Sequence, residues 1–375
     1  MLEYGLARPE EEQALVDFGN MVFSMNHEPT DFKALQPRVY GRPGFSKITQ
    51  VAREEGRILG MISAITGSLM AGEDALKYGY VGTVSAHPHH RGRGIMKRLM
   101  ADTMDSLRQQ GCDIAVLAGQ RQRYQHFGFE DAGGNFTLYL SKGSMAHVLG
   151  PGEQGRFRFV PLVEGPQEDI RRVHQLHQAQ PLVCARSLED FPVILRTWGA
   201  TACLVYEGEE LAGYCYHHHG HVKEFALFDS ALAPAVIQAL LHHLQRTGIQ
   251  VTLRPFELAE NAALFACADS WEMSPALMLS VFNWQAFLQT LLRFKAGLVP
   301  LHPGQRVLGI EGEGAFEITV TDKLVSVRET ALEADLALDP LAALRLVGLP
   351  LPLTPDQPFF NWFPLPFDIP AADAF

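Results

Sequence analysis

Residues 80–100 constrain this chain more than any other stretch. An apolar run (Tyr80, Val81, Val84, Ala86) passes through His87-Pro88-His89-His90 into Arg91-Gly92-Arg93-Gly94, and Ile95-Met96-Lys97-Arg98-Leu99-Met100 follows at once. That order predicts a strand, a glycine-rich basic turn and the first turn of an amphipathic helix. The first turn of a helix leaves backbone N–H groups without internal partners, and its dipole favours negative charge there. Two glycines let the backbone approach an anion closely, and two arginines add positive charge beside it. Together they have the chemistry of a pyrophosphate cradle. Taken alone, the same residues also fit a surface turn that caps a helix.

A chain of 375 residues exceeds what one core usually holds, so two or three domains are expected. With 47% hydrophobic and 19% charged residues, the composition is that of a folded globular protein. The net charge of -11 argues against nucleic acid or an anionic membrane as a partner, and it is compatible with amine-bearing small molecules. The N-terminal residues lack the basic and apolar regions of a secretory signal, and no apolar run is long enough to cross a bilayer. Five scattered cysteines without Cys-x-x-Cys spacing read as reduced, buried thiols, which makes a cytoplasmic location the expectation.

Hydrophobic periodicity divides the chain into three parts, 1–145, 156–282 and 283–375. Gly- and Pro-rich residues over 142–156 read as a linker. In the first part, a helix over residues 10–23 precedes strands at 48–53, 58–65 and 80–86, a helix over 95–110 and a strand at 113–117. The helix puts Ile95, Met96, Leu99, Met100, Thr103 and Leu107 on one face. The second part repeats that order with strands at 202–206, 211–216 and 222–228, a helix at 233–246 and a strand at 249–253. Its turn is Asp229-Ser230-Ala231-Leu232-Ala233-Pro234, with no glycine, no arginine and an acid facing the helix. A pyrophosphate would be held there poorly. The third part opens with a helix from Trp284, continues in strands, and ends in an aromatic, Pro-rich tail expected to pack into a groove.

Residues 80–100 resemble the acyl-CoA-binding motif of the GNAT acetyltransferase superfamily, which asks for Arg or Gln, two residues, Gly, one residue, then Gly or Ala. Arg91 and Gly94 match it, and Met96 stands where the family has a small residue. Tyr124-Gln125-His126-Phe127-Gly128-Phe129 is similar to the family's Tyr-x-x-Phe-Gly-Phe/Tyr signature. In organisation, the whole chain resembles the enhanced-intracellular-survival (Eis) type. The resemblance implies an α+β (mixed α/β) chain of two tandem GNAT folds, the second degenerate, with a C-terminal domain like sterol carrier protein.

What the resemblance implies chemically is an N-acetyltransferase that uses acetyl-CoA as co-substrate, without a metal, on a primary amine of a small molecule. The donor would be held by Val84, Ser85, Ala86, Arg91, Gly92, Arg93, Gly94, Ile95 and Met96. Tyr124 would protonate the leaving thiolate, and the terminal carboxylate of Phe375 would act as base. Self-association into a homo-oligomer is implied as well. A non-catalytic acyl-CoA- or lipid-binding protein is the alternative, since carrier-like domains can enclose apolar ligands.

Other residues invite a sharper reading than they support. In a continuous strand, His217, His219 and His221 would share one face, yet no carboxylate or thiol nearby completes a metal set. By resemblance, Phe23, His27, Asp31 and Phe32 would line an acceptor entrance, but packing and surface exposure account for them better.

Overall fold

The computed structural model describes residues 1–25, 28–152, 155–350 and 358–375; His27 lies outside them. The chain forms two compact units. One comprises Met1–Gly133, Leu277–Phe367 and Ala374–Phe375, and the other comprises Gly134–Ala276 and Asp368–Asp373. Both are mixed α/β. The chain passes between the units at Gly133/Gly134, Ala276/Leu277, Phe367/Asp368 and Asp373/Ala374, and none of these lies in the linker expected over 142–156. That stretch opens instead with a helix, Lys142–Leu149, whose start is closed by reciprocal hydrogen bonds between Ser141 and Ser144.

The main sheet of the first unit runs in the order Glu3–Leu6, Thr49–Glu54, Arg57–Ala71, Asp74–Ala86, Ile114–Leu117, Leu277–Val281, Glu130–Ala132. Neighbours are antiparallel except at the centre, where Asp74–Ala86 runs parallel to Ile114–Leu117. That central pairing covers only Tyr78, Gly79 and Tyr80, opposite Ile114, Ala115 and Val116. Beyond Tyr80 the two strands are unpaired with each other, which opens the sheet on the side of the 80–100 stretch. A bulge marks the same place. Ser63 pairs with Gly82 and Met61 with Ser85, so Thr83 and Val84 stand opposite Ile62 alone, and Thr83 takes a φ of 49°.

The helix Ile95–Gln109 follows from its amphipathic pattern. Its buried residues Ile95, Leu99, Met100, Met104 and Leu107 pack on Leu59, Ile62, Ala64 and Val81 of the sheet. The later part of this unit has a helix, Trp284–Leu298, and a smaller sheet in the order Val325–Thr330, Gly314–Val320, Gly304–Ile310, Leu336–Leu338. The aromatic tail is buried there, with Phe359 and Trp362 fully enclosed. The Lys295 ammonium donates to the carbonyls of Asn361 (2.7 Å), Trp362 (3.2 Å) and Pro364 (2.8 Å) and so fastens that segment.

The sheet of the second unit runs Ser270–Ser274, Asn135–Ser141, Gly248–Leu253, His221–Leu227, Glu210–His218, Thr201–Glu207, Phe157–Pro161. Its central pair is again parallel, with His221 and Val222 opposite Gln250 and Val251. The helix Ala233–His243 packs on it through Val236, Ile237, Leu240 and Leu241. The histidine run corrects the single-strand expectation. His217 and His218 end one strand, His219 and Gly220 turn with φ of 50° and 81°, and His221 begins the next. His221 Nε2 lies 2.7 Å from Thr252 Oγ1. Among the described residues, no group of three His, Cys, Asp or Glu side chains is arranged to hold a metal ion.

A buried ion cluster lies in this second unit. The fully enclosed Arg186 donates two 2.8 Å hydrogen bonds to Glu224, and its Nη2 lies 2.7 Å from an Asp373 carboxylate oxygen. Tyr214 adds a 2.7 Å hydrogen bond to Glu224. Burial alone would raise the Glu224 carboxyl, but the Arg186 charge and its hydrogen bonds bring it down to about 2.

Candidate active site

The cradle has the conformation its glycines allow. Gly92 and Gly94 adopt φ of 78° and 75°, in the left-handed region that costs L-residues energy, and Gly94 is the residue from which the helix Ile95–Gln109 starts. The first N–H bonded within that helix is that of Arg98, which donates to the Gly94 carbonyl at 3.1 Å. No side chain caps the start. The N–H groups of Ile95, Met96 and Lys97 are therefore the free donors of the first turn, as helix geometry requires.

These donors face an open cleft of about 1310 Å³ within the first unit. One wall is the bulged strand at Val84 and Ala86, followed by Arg91, Gly92 and Gly94. The opposite wall is Gln120, Arg123, His126 and Phe127, and Val22 and Phe23 close one side. The splay of the central strands is what leaves this space. Its volume and lining suit a ligand with an anion at the helix end and an apolar, hydrogen-bonding arm along the strand.

Each expected donor residue has a definite place. Val84, Ala86, Arg91, Gly92, Gly94, Ile95 and Met96 line the cleft. Arg91 is exposed and makes no ion pair among the described residues, so its charge is available to a ligand. Arg93 is engaged: two 2.8 Å hydrogen bonds tie it to Glu54, and Nη1 lies 2.8 Å from His90 Nδ1. Ser85 is buried with its hydroxyl unpartnered among the described residues.

Tyr124 is 6% exposed and packs in the core that underlies the cradle helix, edge-on to Phe129. Burial raises its hydroxyl pKa, against the charge and a hydrogen bond of Arg123, a cleft residue. Phe375 is buried in the first unit. A Cβ on Gly82 would lie 2.8 Å from its terminal carboxyl carbon and nearer still to a terminal oxygen, so only glycine leaves room for the chain end. Asp31 is occupied as a helix cap, accepting from the Lys33 and Ala34 N–H groups. Phe32 is a core residue packed on Phe23 and Tyr40.

Sequence reasoning did not single out the cleft wall at Gln120, Arg123 and His126, or the buried hydroxyls behind the bulge. Tyr40 donates to Thr83 Oγ1 at 2.6 Å and lies 3.1 Å from Ser63 Oγ, which contacts Thr49 Oγ1 at 2.8 Å. Burial pushes the Tyr40 hydroxyl up to about 12. These contacts join residues 14, 23 and 43 apart in the chain, and no local pattern announces them.

Comparison with known proteins bears on the same region. Residues 3–132 match the model of the acetyltransferase (GNAT) domain, so this part of the chain carries that domain. No curated protein sequence matches the chain significantly. Among solved structures, a conserved protein of unknown function from Enterococcus faecalis, described as a probable N-acyltransferase, superposes with a TM-score of 0.68. It shares 17% identity over 92% of this chain and 89% of that one. A GCN5-related N-acetyltransferase from Anabaena variabilis gives 0.66 at 16% identity, covering 92% and 89%. Eis1 from Mycobacterium abscessus gives 0.61 at 15%, covering 92% and 88%. At such identities the likeness is one of fold, and it extends over nearly the whole chain.

Proposed function

We propose that this chain is an acetyl-CoA-dependent N-acetyltransferase that acts on a primary amine of a small molecule. The observation that carries the reading is the uncapped start of the helix Ile95–Gln109, open to a large cleft and preceded by left-handed glycines. In it, the pyrophosphate accepts from the N–H groups of Ile95, Met96 and Lys97, with Arg91 beside it. The pantetheine arm runs along Val84, which the bulge leaves out of register, and Ala86, which lies beyond the end of the pairing with Ile114–Leu117. Most of the rate then comes from holding thioester and amine together, a gain of about 7–11 kcal/mol in favourable cases.

The chemistry is a direct transfer. The amine nitrogen attacks the thioester carbonyl carbon, and the C–S bond breaks as the tetrahedral intermediate collapses. The terminal carboxylate of Phe375 takes the amine proton, and the Tyr124 hydroxyl protonates the departing thiolate. Tyr124 carries its proton at neutral pH, as an acid must, with burial holding its pKa above the ordinary tyrosine value. The second sheet fits a degenerate copy of the first domain, and the later part of the first unit fits a carrier-like domain without a required ligand.

Release of free thiol from acetyl-CoA across a panel of primary amines tests the reading. Amine-dependent release that falls sharply in Arg91→Glu supports it. Binding of acetyl-CoA without release for any amine overturns it in favour of an acyl-CoA-binding protein.

A further inference from the structure

The end of the chain is held by its ring as well as by its carboxylate. In the first unit, the Phe375 ring lies 6.4 Å from the Tyr40 ring and 6.2 Å from the Tyr80 ring, inclined at 45° and 60°. All three residues are nearly inaccessible, at 7%, 2% and 2% exposure. Tyr80 and Gly82 are two apart on one strand, so they share a face of the sheet. The ring is thus gripped beside the very glycine that makes room for the terminal carboxyl group.

Tyr40 is itself immobilised. Its ring contacts Phe32 at 5.5 Å and Phe45 at 5.0 Å, and its hydroxyl is tied to Thr83 and Ser63. Thr83 adjoins Gly82 and carries the left-handed backbone of the bulge. One connected set of contacts therefore fixes the ring, the bulge and the place of the carboxyl group. A chain terminus is ordinarily the most mobile part of a domain, and burial of a large aromatic ring is an effective way to still it.

We propose that Tyr40 and Tyr80 are positioning residues that seat the terminal carboxylate at Gly82 by gripping the Phe375 ring. The functional meaning of this grip rests on the reading of that carboxylate as base. Displacing a reacting group by about 1 Å can cost on the order of 10²-fold in rate, so the ring matters even though it takes no part in the chemistry.

Carboxypeptidase Y, followed by intact mass, reads the grip without any acceptor. The intact chain should keep Phe375 under conditions that strip an unstructured terminus. Phe375→Ala and Tyr80→Leu should lose their last residue at least tenfold faster, with thermal midpoints showing both variants folded. Phe375→Ala retains a carboxylate, so its kcat should fall roughly 10- to 100-fold with the KM for acetyl-CoA unchanged. Rapid release from the wild-type chain overturns the proposal, and so does a Phe375→Ala variant with wild-type protection or wild-type kcat. A one-glycine extension separates the two claims. Full turnover in it removes the base reading alone, while protection of Phe375 still stands as evidence for the grip.

Discussion

The two larger sheets are built alike and differ where chemistry would take place. Each has a central parallel pair that ends at a defined step, Tyr80 opposite Val116 in the first and Val222 opposite Val251 in the second. Two residues further on, the first has Gly82 and the second Glu224. At Gly82 the first sheet bulges and admits the chain terminus. The second has its irregularity one residue earlier, at Lys223, runs in register from Glu224 to Leu227, and fills the position with its own carboxylate, bound to Arg186. The following helices differ in the same sense. The one from Ile95 starts uncapped after left-handed glycines. The one from Ala233 carries a proline in its first turn, and Asp229 in the turn before it accepts from the Ala231 N–H at 3.0 Å. A single architecture can hold an anion or satisfy itself internally, and a few side chains decide between the two.

Giving the first sheet the character of the second is the severest test. Gly82→Glu, or the smaller Gly82→Ala, displaces the chain end and should lower kcat by roughly 10²–10⁴-fold, the range for loss of a general base, with acetyl-CoA affinity retained. Steady-state kinetics with a thermal midpoint would read this, and full activity would break the comparison. Arg186→Met leaves the Glu224 and Asp373 carboxylates buried without their cation. Urea unfolding should then show a loss of about 3–5 kcal/mol.

The two helix starts give a matched pair of smaller effects. Gly94→Ala forces a left-handed backbone on a residue with a Cβ, at about 1–2 kcal/mol, and should raise the KM for acetyl-CoA about tenfold. Asp229→Ala should cost about 0.5–2 kcal/mol of stability through the lost cap and leave that KM alone. Equal effects on KM would show that both helices serve the donor.

The last expected effect is one of pH. Burial, together with the carboxylates of Glu257, Glu224 and Asp373, outweighs Arg254 and raises Asp368 to about 7. The folded state keeps a proton that the unfolded state, with a pKa near 3.8, gives up. This stabilisation is full below the lower value and is lost as pH rises through about 7. Melting curves between pH 4 and 8 should show that slope in the wild type, and Asp368→Asn should remove it.

How much of this was legible follows from how local each cause is. Gly92 and Gly94, the helix Ile95–Gln109 and the acid before the second helix all announce themselves within a few residues, because capping and left-handed turns are local matters. The strand preceding the cradle was read from residue 80, but it starts at Asp74, since pairing with Arg57–Ala71 extends it through polar positions. Partner choice was not legible. Asn135–Ser141 joins the second sheet and Leu277–Val281 the first, and nothing in an isolated strand says which neighbour it will find. Arg93 is tied to Glu54 from 39 residues away, a pairing that no local pattern announces. Arg186 and Asp373 meet across 187 residues. The aromatic grip on Phe375 is equally non-local.

The central claim is that each chain holds one acetyl-CoA, at the start of the helix Ile95–Gln109. Calorimetric titration with CoA of the wild type, Arg91→Glu and Asp229→Ala tests it most directly. The account requires one site per chain, severely weakened in Arg91→Glu and unchanged in Asp229→Ala. Two sites per chain, or an affinity indifferent to Arg91, would contradict it.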